Sequence, residues 1–398
     1  MVKTLSRIGS IDVFRALTML LMIFVNDLWS LKDIPEWLEH TAADVDGMGL
    51  ADVVFPTFLF IVGLSIPFAI SNRRKKGQSL KQVSIHILTR SLALIVMGVY
   101  MVNLESYNTE LAIINRYWWQ ILMTLAFFLI WNVYPRTNEK KRYLYIALQI
   151  TGYLILILLA AIYKGGTIEN PVWIKPYWWG ILGLIGWAYL ISAFVYLFAG
   201  SNLILLISAL VFFNLFNVAD FAGWLEFLTP IKKYIWIVGS GSMPAFTMGG
   251  VVASVIYIKL SKENNLKQFL IAMAVLGAIM LIFGFVTRPM WGISKIRATP
   301  AWVGICTGIS FLLFGLLYVI VDIWKKRNWF SIIDAAGTST LTCYLIPYYW
   351  YAITALLGFS LPIALRTGGI GILKSILFAL IIVQITGVLE KMKIKLRI

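Results

Sequence analysis

Apolar runs long enough to cross a bilayer recur from one end of this chain to the other, and they limit its fold more than any other feature. They fall near 13–30, 51–71, 87–103, 117–134, 143–163, 178–198, 202–218, 235–258, 268–287, 301–323, 333–356 and 369–389. A helix rising 1.5 Å per residue needs about twenty residues to cross the hydrocarbon layer. The expected fold class is therefore all-α, a polytopic membrane protein with about twelve transmembrane helices. Composition agrees: 60% of residues are hydrophobic, 13% are charged, and the mean hydropathy is +0.84. A soluble domain has about a quarter charged residues, and no single water-soluble core could hide this much apolar surface. The joint Gly200-Ser-Asn202 is so short that 178–198 and 202–218 read either as a helical hairpin or as one broken span. Pro56, Pro67, Pro244 and Pro347 lie within runs, where kinks or local unwinding are expected.

The net charge of +16 sits in short loops between the runs, so it argues for membrane orientation and anionic lipid rather than nucleic acid. If twelve spans alternate, the basic stretches 72–81, 136–142, 259–267, 325–327 and 391–397 all fall on one side. That places both termini in the cytoplasm and the segment around His40 outside. Lys3 and Arg7 followed by apolar residues imitate a signal peptide, but Asp12 and Arg15 interrupt the run, and an uncleaved first span is expected. Tyr117-Trp-Trp119 and Tyr177-Trp-Trp179 read mostly as an interfacial aromatic belt. The two cysteines, Cys306 and Cys343, lie inside apolar runs as buried thiols. Two histidines and two cysteines so far apart offer no metal-ligand spacing. No repeat, linker or soluble domain is visible, so residues 1–398 are expected to form one integral-membrane domain.

Polar groups in a bilayer are costly and ask for a reason. His40, one of two histidines, sits in the polar segment Trp37-Leu-Glu-His40-Thr-Ala-Ala-Asp44-Val-Asp46 between the first two spans. An idle loop histidine is the ordinary reading. The nearby carboxylates Asp44 and Asp52 favour instead an oriented general base. Asp52 also suits the first turn of the second span, where a carboxylate complements the helix dipole. Asn26 and Asp27 lie at the far end of the first span, where Asn26 reads either as a helix–helix contact or as an oxyanion donor. Arg116, Gln120 and Lys295 are further candidates to contact a substrate at the His40 face. Arg15 and Arg90 lie near the cytoplasmic face, where each can meet a phosphate. His86, beside a basic loop, reads as snorkelling to the interface. Gly239-Ser-Gly-Ser-Met-Pro244 is a break of the kind that lines cavities.

Together, Ser10-Ile-Asp12-Val-Phe-Arg15-Ala, Met22-Ile-Phe-Val-Asn26, His40 and Ala51-Asp52-Val-Val-Phe-Pro56-Thr-Phe-Leu-Phe-Ile-Val-Gly63 resemble the heparan-α-glucosaminide N-acetyltransferase family of transmembrane acyltransferases. The likeness covers about the first seventy residues, with weaker echoes at 119–122, 319–322 and 336–344. It implies transfer of an acetyl group from cytoplasmic acetyl-CoA, a co-substrate, to a sugar amine or hydroxyl of a carbohydrate or glycoconjugate on the other side, with no metal. It also implies His40 as the catalytic histidine and Asn26 as its neighbour. The pair 178–218 would be an addition to the family's usual core, and the absence of a luminal N-terminal domain favours a bacterial inner-membrane enzyme. A homodimer is compatible with all of this. The rival expectation is a multi-pass transporter or flippase of an envelope glycan or lipid precursor.

Overall fold

The computed structural model describes residues 9–135, 141–232, 239–262 and 265–398. Lys3, Arg7, the 136–140 part of one basic loop, residues 233–238 at the start of the eighth run, and 263–264 lie outside the described residues.

Each apolar run carries a long helix among the described residues. In chain order these are α1 (Gly9–Asp27), α2 (Leu50–Lys75), α3 (Leu80–Val102), α4 (Arg116–Trp131), α5 (Arg142–Ile162), α6 (Gly180–Ala199) and α7 (Leu203–Phe221). They continue with α8 (Ser242–Lys262), α9 (Leu266–Trp291), α10 (Pro300–Tyr318), α11 (Thr340–Leu356) and α12 (Gly368–Lys391). Among the described residues, nine helices are long and apolar enough to cross a membrane, and the only sheet is a two-residue pairing of Gly165–Gly166 with Pro171–Val172. This is an all-α polytopic membrane architecture.

Local chemistry sets the helix starts. Ser79 and Gln82 form a reciprocal capping box at α3, Asn115 accepts from the Tyr117 N–H at α4, and Asn202 accepts from Ile204 and Leu205 at α7. The α6–α7 joint turns at Gly200, whose φ of 59° suits glycine, and both helices then pack on α8. They are two helices, not one broken span. Two expectations need correction. Pro244 falls in the first turn of α8, where a missing N–H costs nothing, and α8 is continuous. The 333–356 run is not one helix either: a short turn, Asp334–Thr338, ends at Ser339 before α11 begins. The 301–323 run closes in a π-helical segment, Val319–Ile323.

Inside a bilayer, burying apolar side chains against one another gains no expulsion of water, so close backbone approach and dispersion must hold the helices together. The α2–α8 contact shows how. A Cβ on Gly63 would lie 1.8 Å from the Thr247 carbonyl oxygen, and one on Gly250 would lie 1.9 Å from that of Phe60. Only hydrogen fits at either position. Ser254 then donates to the Leu64 carbonyl at 2.5 Å across the same seam. Trp119, expected in an interfacial belt, is instead fully buried, stacked near Tyr100 and donating to the Leu159 carbonyl at 3.1 Å.

Neighbouring ends meet in pairs. The Gly9 and Ser10 N–H groups at the start of α1 donate to Asp322 after α10, and the N–H of Arg397 in the C-terminal tail donates to the Trp131 carbonyl at the end of α4. Asp27, at the other end of α1, meets Tyr351 of α11 and Lys374 of α12. The bundle thus has a basic end, holding the start of α1 and the C-terminal tail, and a His40 end.

Candidate active site

The His40 loop rests on the first turn of α2. A Cβ on Gly49 would lie 2.0 Å from the Glu39 carbonyl oxygen, so glycine is what allows the loop to lie against the helix start. Asp52, three residues on and 1% exposed, uses its two oxygens differently. Oδ2 accepts from the backbone N–H groups of Thr41 and Gly49, each at 3.0 Å. Oδ1 sits 2.7 Å from His40 Nδ1. The Asp52 backbone carbonyl is fixed in turn by the indole N–H of Trp302 at 3.0 Å. A carboxylate only accepts, so this contact assigns the proton to Nδ1 and leaves the Nε2 lone pair available. The imidazole itself is 46% exposed.

A second loop, between α9 and α10, is fastened to the first. Asp46 accepts from the Ile293 N–H at 2.7 Å and pairs with Arg288 at 3.0 Å, and Gly47 donates to the Ile293 carbonyl. The Ile293 N–H holds the Asp46 carboxyl below its usual range against a counteracting effect of burial, with help from Arg288 and Arg297. The fastening delivers Lys295, whose Nζ lies 3.1 Å from His40 Nδ1, 3.3 Å from Nε2 and 3.9 Å from Asp52 Oδ1. Burial pulls the Lys295 ammonium below its ordinary pKa, while the Asp52 carboxylate pulls the other way.

His40 lines a cavity of about 1180 Å³ that also takes in Asn26, Asp27, Arg116 and Gln120. The Asn26 side chain makes no hydrogen bond among the described residues and is exposed at the wall of this space. A second cavity of about 330 Å³ lies toward the basic end and is lined by Arg15, Arg90 and Arg397 among others. Ile181 and Tyr344 line both, so the two spaces adjoin at those side chains.

The sequence candidates thus sort into groups. His40, Asp52 and Lys295 touch; Asn26, Arg116 and Gln120 face the same space; Arg15 and Arg90 face the smaller one. Three details run against expectation. Asp44 is exposed, in the turn at residues 43–44, and lines neither cavity. Asp27 has its oxygens taken by Tyr351, Lys374 and Ser375, at 2.5 to 2.8 Å, which leaves it a structural anchor in the cavity wall. The Gly239–Gly241 turn lines neither cavity; Asn217 pins it at the Ser240 carbonyl. Sequence reading passed over Lys374, although a lysine inside an apolar run was a signal for it. It met Tyr344 only as the end of a weak family echo; the residue is the fifth of α11.

Residues 7–130 match the family model for the catalytic region of heparan-alpha-glucosaminide N-acetyltransferase. The mouse protein of that name is 35% identical over 102 residues, which is 25% of this chain and 14% of the mouse protein. The human protein of the same name is 35% identical over 101 residues, 24% of this chain and 14% of that protein. The chain therefore spans only a small share of those relatives' length, and the family-model match over residues 7–130 contains Arg15, Asn26, His40, Asp52 and Arg90. Residues 7–130 are thus similar to the catalytic region of the heparan-alpha-glucosaminide N-acetyltransferase family.

Proposed function

We propose that this protein is a membrane acetyltransferase that takes acetyl from acetyl-CoA at its basic, cytoplasmic end and transfers it to a sugar amine or hydroxyl at the His40 end. The carrying observation is the Asp52–His40 contact at the wall of a cavity that backs onto a second, arginine-lined one. The phosphates of the donor meet Arg15 and Arg90, and its pantetheine arm passes Tyr344 so that the thioester reaches Asn26 and His40.

The acceptor lone pair attacks the thioester carbonyl carbon. His40 Nε2 takes the acceptor's proton, with Asp52 holding the ring and steadying the imidazolium. The Asn26 side-chain amide donates to the carbonyl oxygen as it becomes negative. Collapse breaks the C–S bond, and the imidazolium returns the proton to the departing thiolate. Arg116 and Gln120 face the acceptor space; Gln120 already donates to the Tyr348 carbonyl, which leaves its amide oxygen to accept. Lys295 touches the imidazole and orients it beside Asp52. The chain acts as one integral unit, placed in a bacterial inner membrane with both termini inside.

The test is vectorial transfer. Proteoliposomes with acetyl-CoA sealed at the face bearing the termini are given an amino sugar at the other face, and acetylated sugar is measured there. His40→Ala should lower the rate by about 10²–10⁴-fold with folded protein unchanged. Movement of a glycan or lipid precursor with no acetyl gained would instead establish a transporter.

A further inference from the structure

We propose that the C-terminal tail, residues 393–398, is part of the donor site, with Arg397 gripping the phosphate groups of the coenzyme; this rests on the donor reading above.

The tail is not a loose end. Val133 donates to the Lys395 carbonyl, Lys395 N–H donates to Asn132 Oδ1 at 2.8 Å, and Leu396 N–H donates to Thr342 Oγ1 at 2.9 Å. Lys395 Nζ pairs with Glu390 at 2.7 Å. Leu396 is buried, and Leu396, Arg397 and Ile398 form part of the wall of the smaller cavity. The tail therefore closes one side of that space and sets Arg397 beside it.

The cations here differ in what occupies them. Arg15 pairs with Asp12 at 3.6 Å and donates to Ser65 at 2.6 Å. Arg73 donates to Gln78. Arg90 lies 4.9 Å over the Tyr189 ring, and its Nε has no partner among the described residues. The Arg397 guanidinium has neither a hydrogen bond nor an ion pair among the described residues. Arg73, Arg90 and Arg397 all lie near enough to bear electrostatically on His86 of α3. Arg73, Arg90 and Arg397, which have no carboxylate partner among the described residues, fit a phosphate ester, which guanidinium groups bind in bidentate fashion. A lipid headgroup offers the same chemistry. The nucleotide is favoured because Arg397 faces a cavity that abuts the His40 space through Tyr344.

The test uses the full chain in neutral detergent and reads apparent affinity from ligand-dependent thermal stabilisation. The probes are CoA, its nucleotide bisphosphate fragment, and short-chain phosphatidylglycerol. Arg397→Ala should weaken CoA and the fragment by about tenfold, the size of one charge-assisted contact, with Arg397→Lys in between. Melting without ligand should not change, because the tail's ties run through main-chain groups and Lys395. If Arg397→Ala does not fold, Arg397→Gln replaces it. Undiminished CoA affinity in the variant would overturn the assignment of Arg397 while leaving the donor reading intact. No CoA binding by the wild type would overturn the donor reading itself. Stabilisation by phosphatidylglycerol alone, dependent on Arg397, would make this a lipid site and overturn the inference.

Discussion

At the scale of single residues, Asp52 carries two duties through two oxygens, and substitution separates them. Asp52→Asn keeps an acceptor oxygen but exchanges the other for a donor. If the amide oxygen keeps the helix cap, the amide group meets His40 and favours the wrong tautomer. Activity should then fall by on the order of 10²–10⁴-fold, as for other oriented histidines, with a loss of about 1 kcal/mol in stability from the weakened cap. Rate assays and denaturation on the same preparation check both halves; an active variant of ordinary stability would sink the assignment. The sequence offered two readings of this residue, helix-dipole partner and imidazole partner, and both are realised in the geometry. Asn26, His40 and Asp52 were legible because few polar groups interrupt these spans. Asp44 is nearer to His40 along the chain than Asp52 is, yet Asp52 is the carboxylate whose Oδ1 meets the imidazole. Arg397 was readable as a tail charge, but its place at a cavity wall depends on hydrogen bonds to α4 and α11 that no local pattern encodes.

At the scale of elements, the helices were legible because apolar length alone identifies them, while their breaks were not. Ser339 interrupts the eleventh run within a stretch of small polar residues, Gly337-Thr-Ser-Thr340, where its own backbone is non-helical. Trp119 misled for a different reason: tryptophan suits both an interface and a core, and its contacts with Tyr100, Tyr107 and Tyr163 decide. The two outer loops give two predictions. Gly49→Ala would drive a methyl group into the Glu39 carbonyl and shift the His40 loop; a displacement near 1 Å costs on the order of 10²-fold in rate, while CoA-dependent stabilisation should persist because the other cavity is untouched. Asp46 titrates with a lowered pKa in the folded protein. Its contribution to stability is therefore present above the unfolded value of about 3.9 and is lost as pH falls through the folded pKa. Melting temperatures recorded from pH 6 down to pH 3 should fall more steeply for the wild type than for Asp46→Asn. Parallel curves would mean that this carboxylate does not fasten the loops.

At the scale of the whole molecule, the two cavities matter through the side chains at which they adjoin. Tyr344→Trp should add bulk there and slow acetyl transfer severalfold without weakening CoA binding; an unchanged rate would mean that the donor arm does not pass there. The junction was invisible in the sequence because Ile181 and Tyr344 come from helices far apart along the chain. What could be read was the polarity of the bundle, one end basic and the other carrying the imidazole. The first helix connects those ends in one straight rod. Arg15 and Asn26 lie eleven positions apart on it, or about 16 Å at the helical rise. That rod acts as a ruler: with its head group anchored at one mark, a carrier must have an arm long enough to present its reactive carbon at the other. Thioesters on shortened arms would bind and wait, so the enzyme would select its coenzyme by reach as much as by charge.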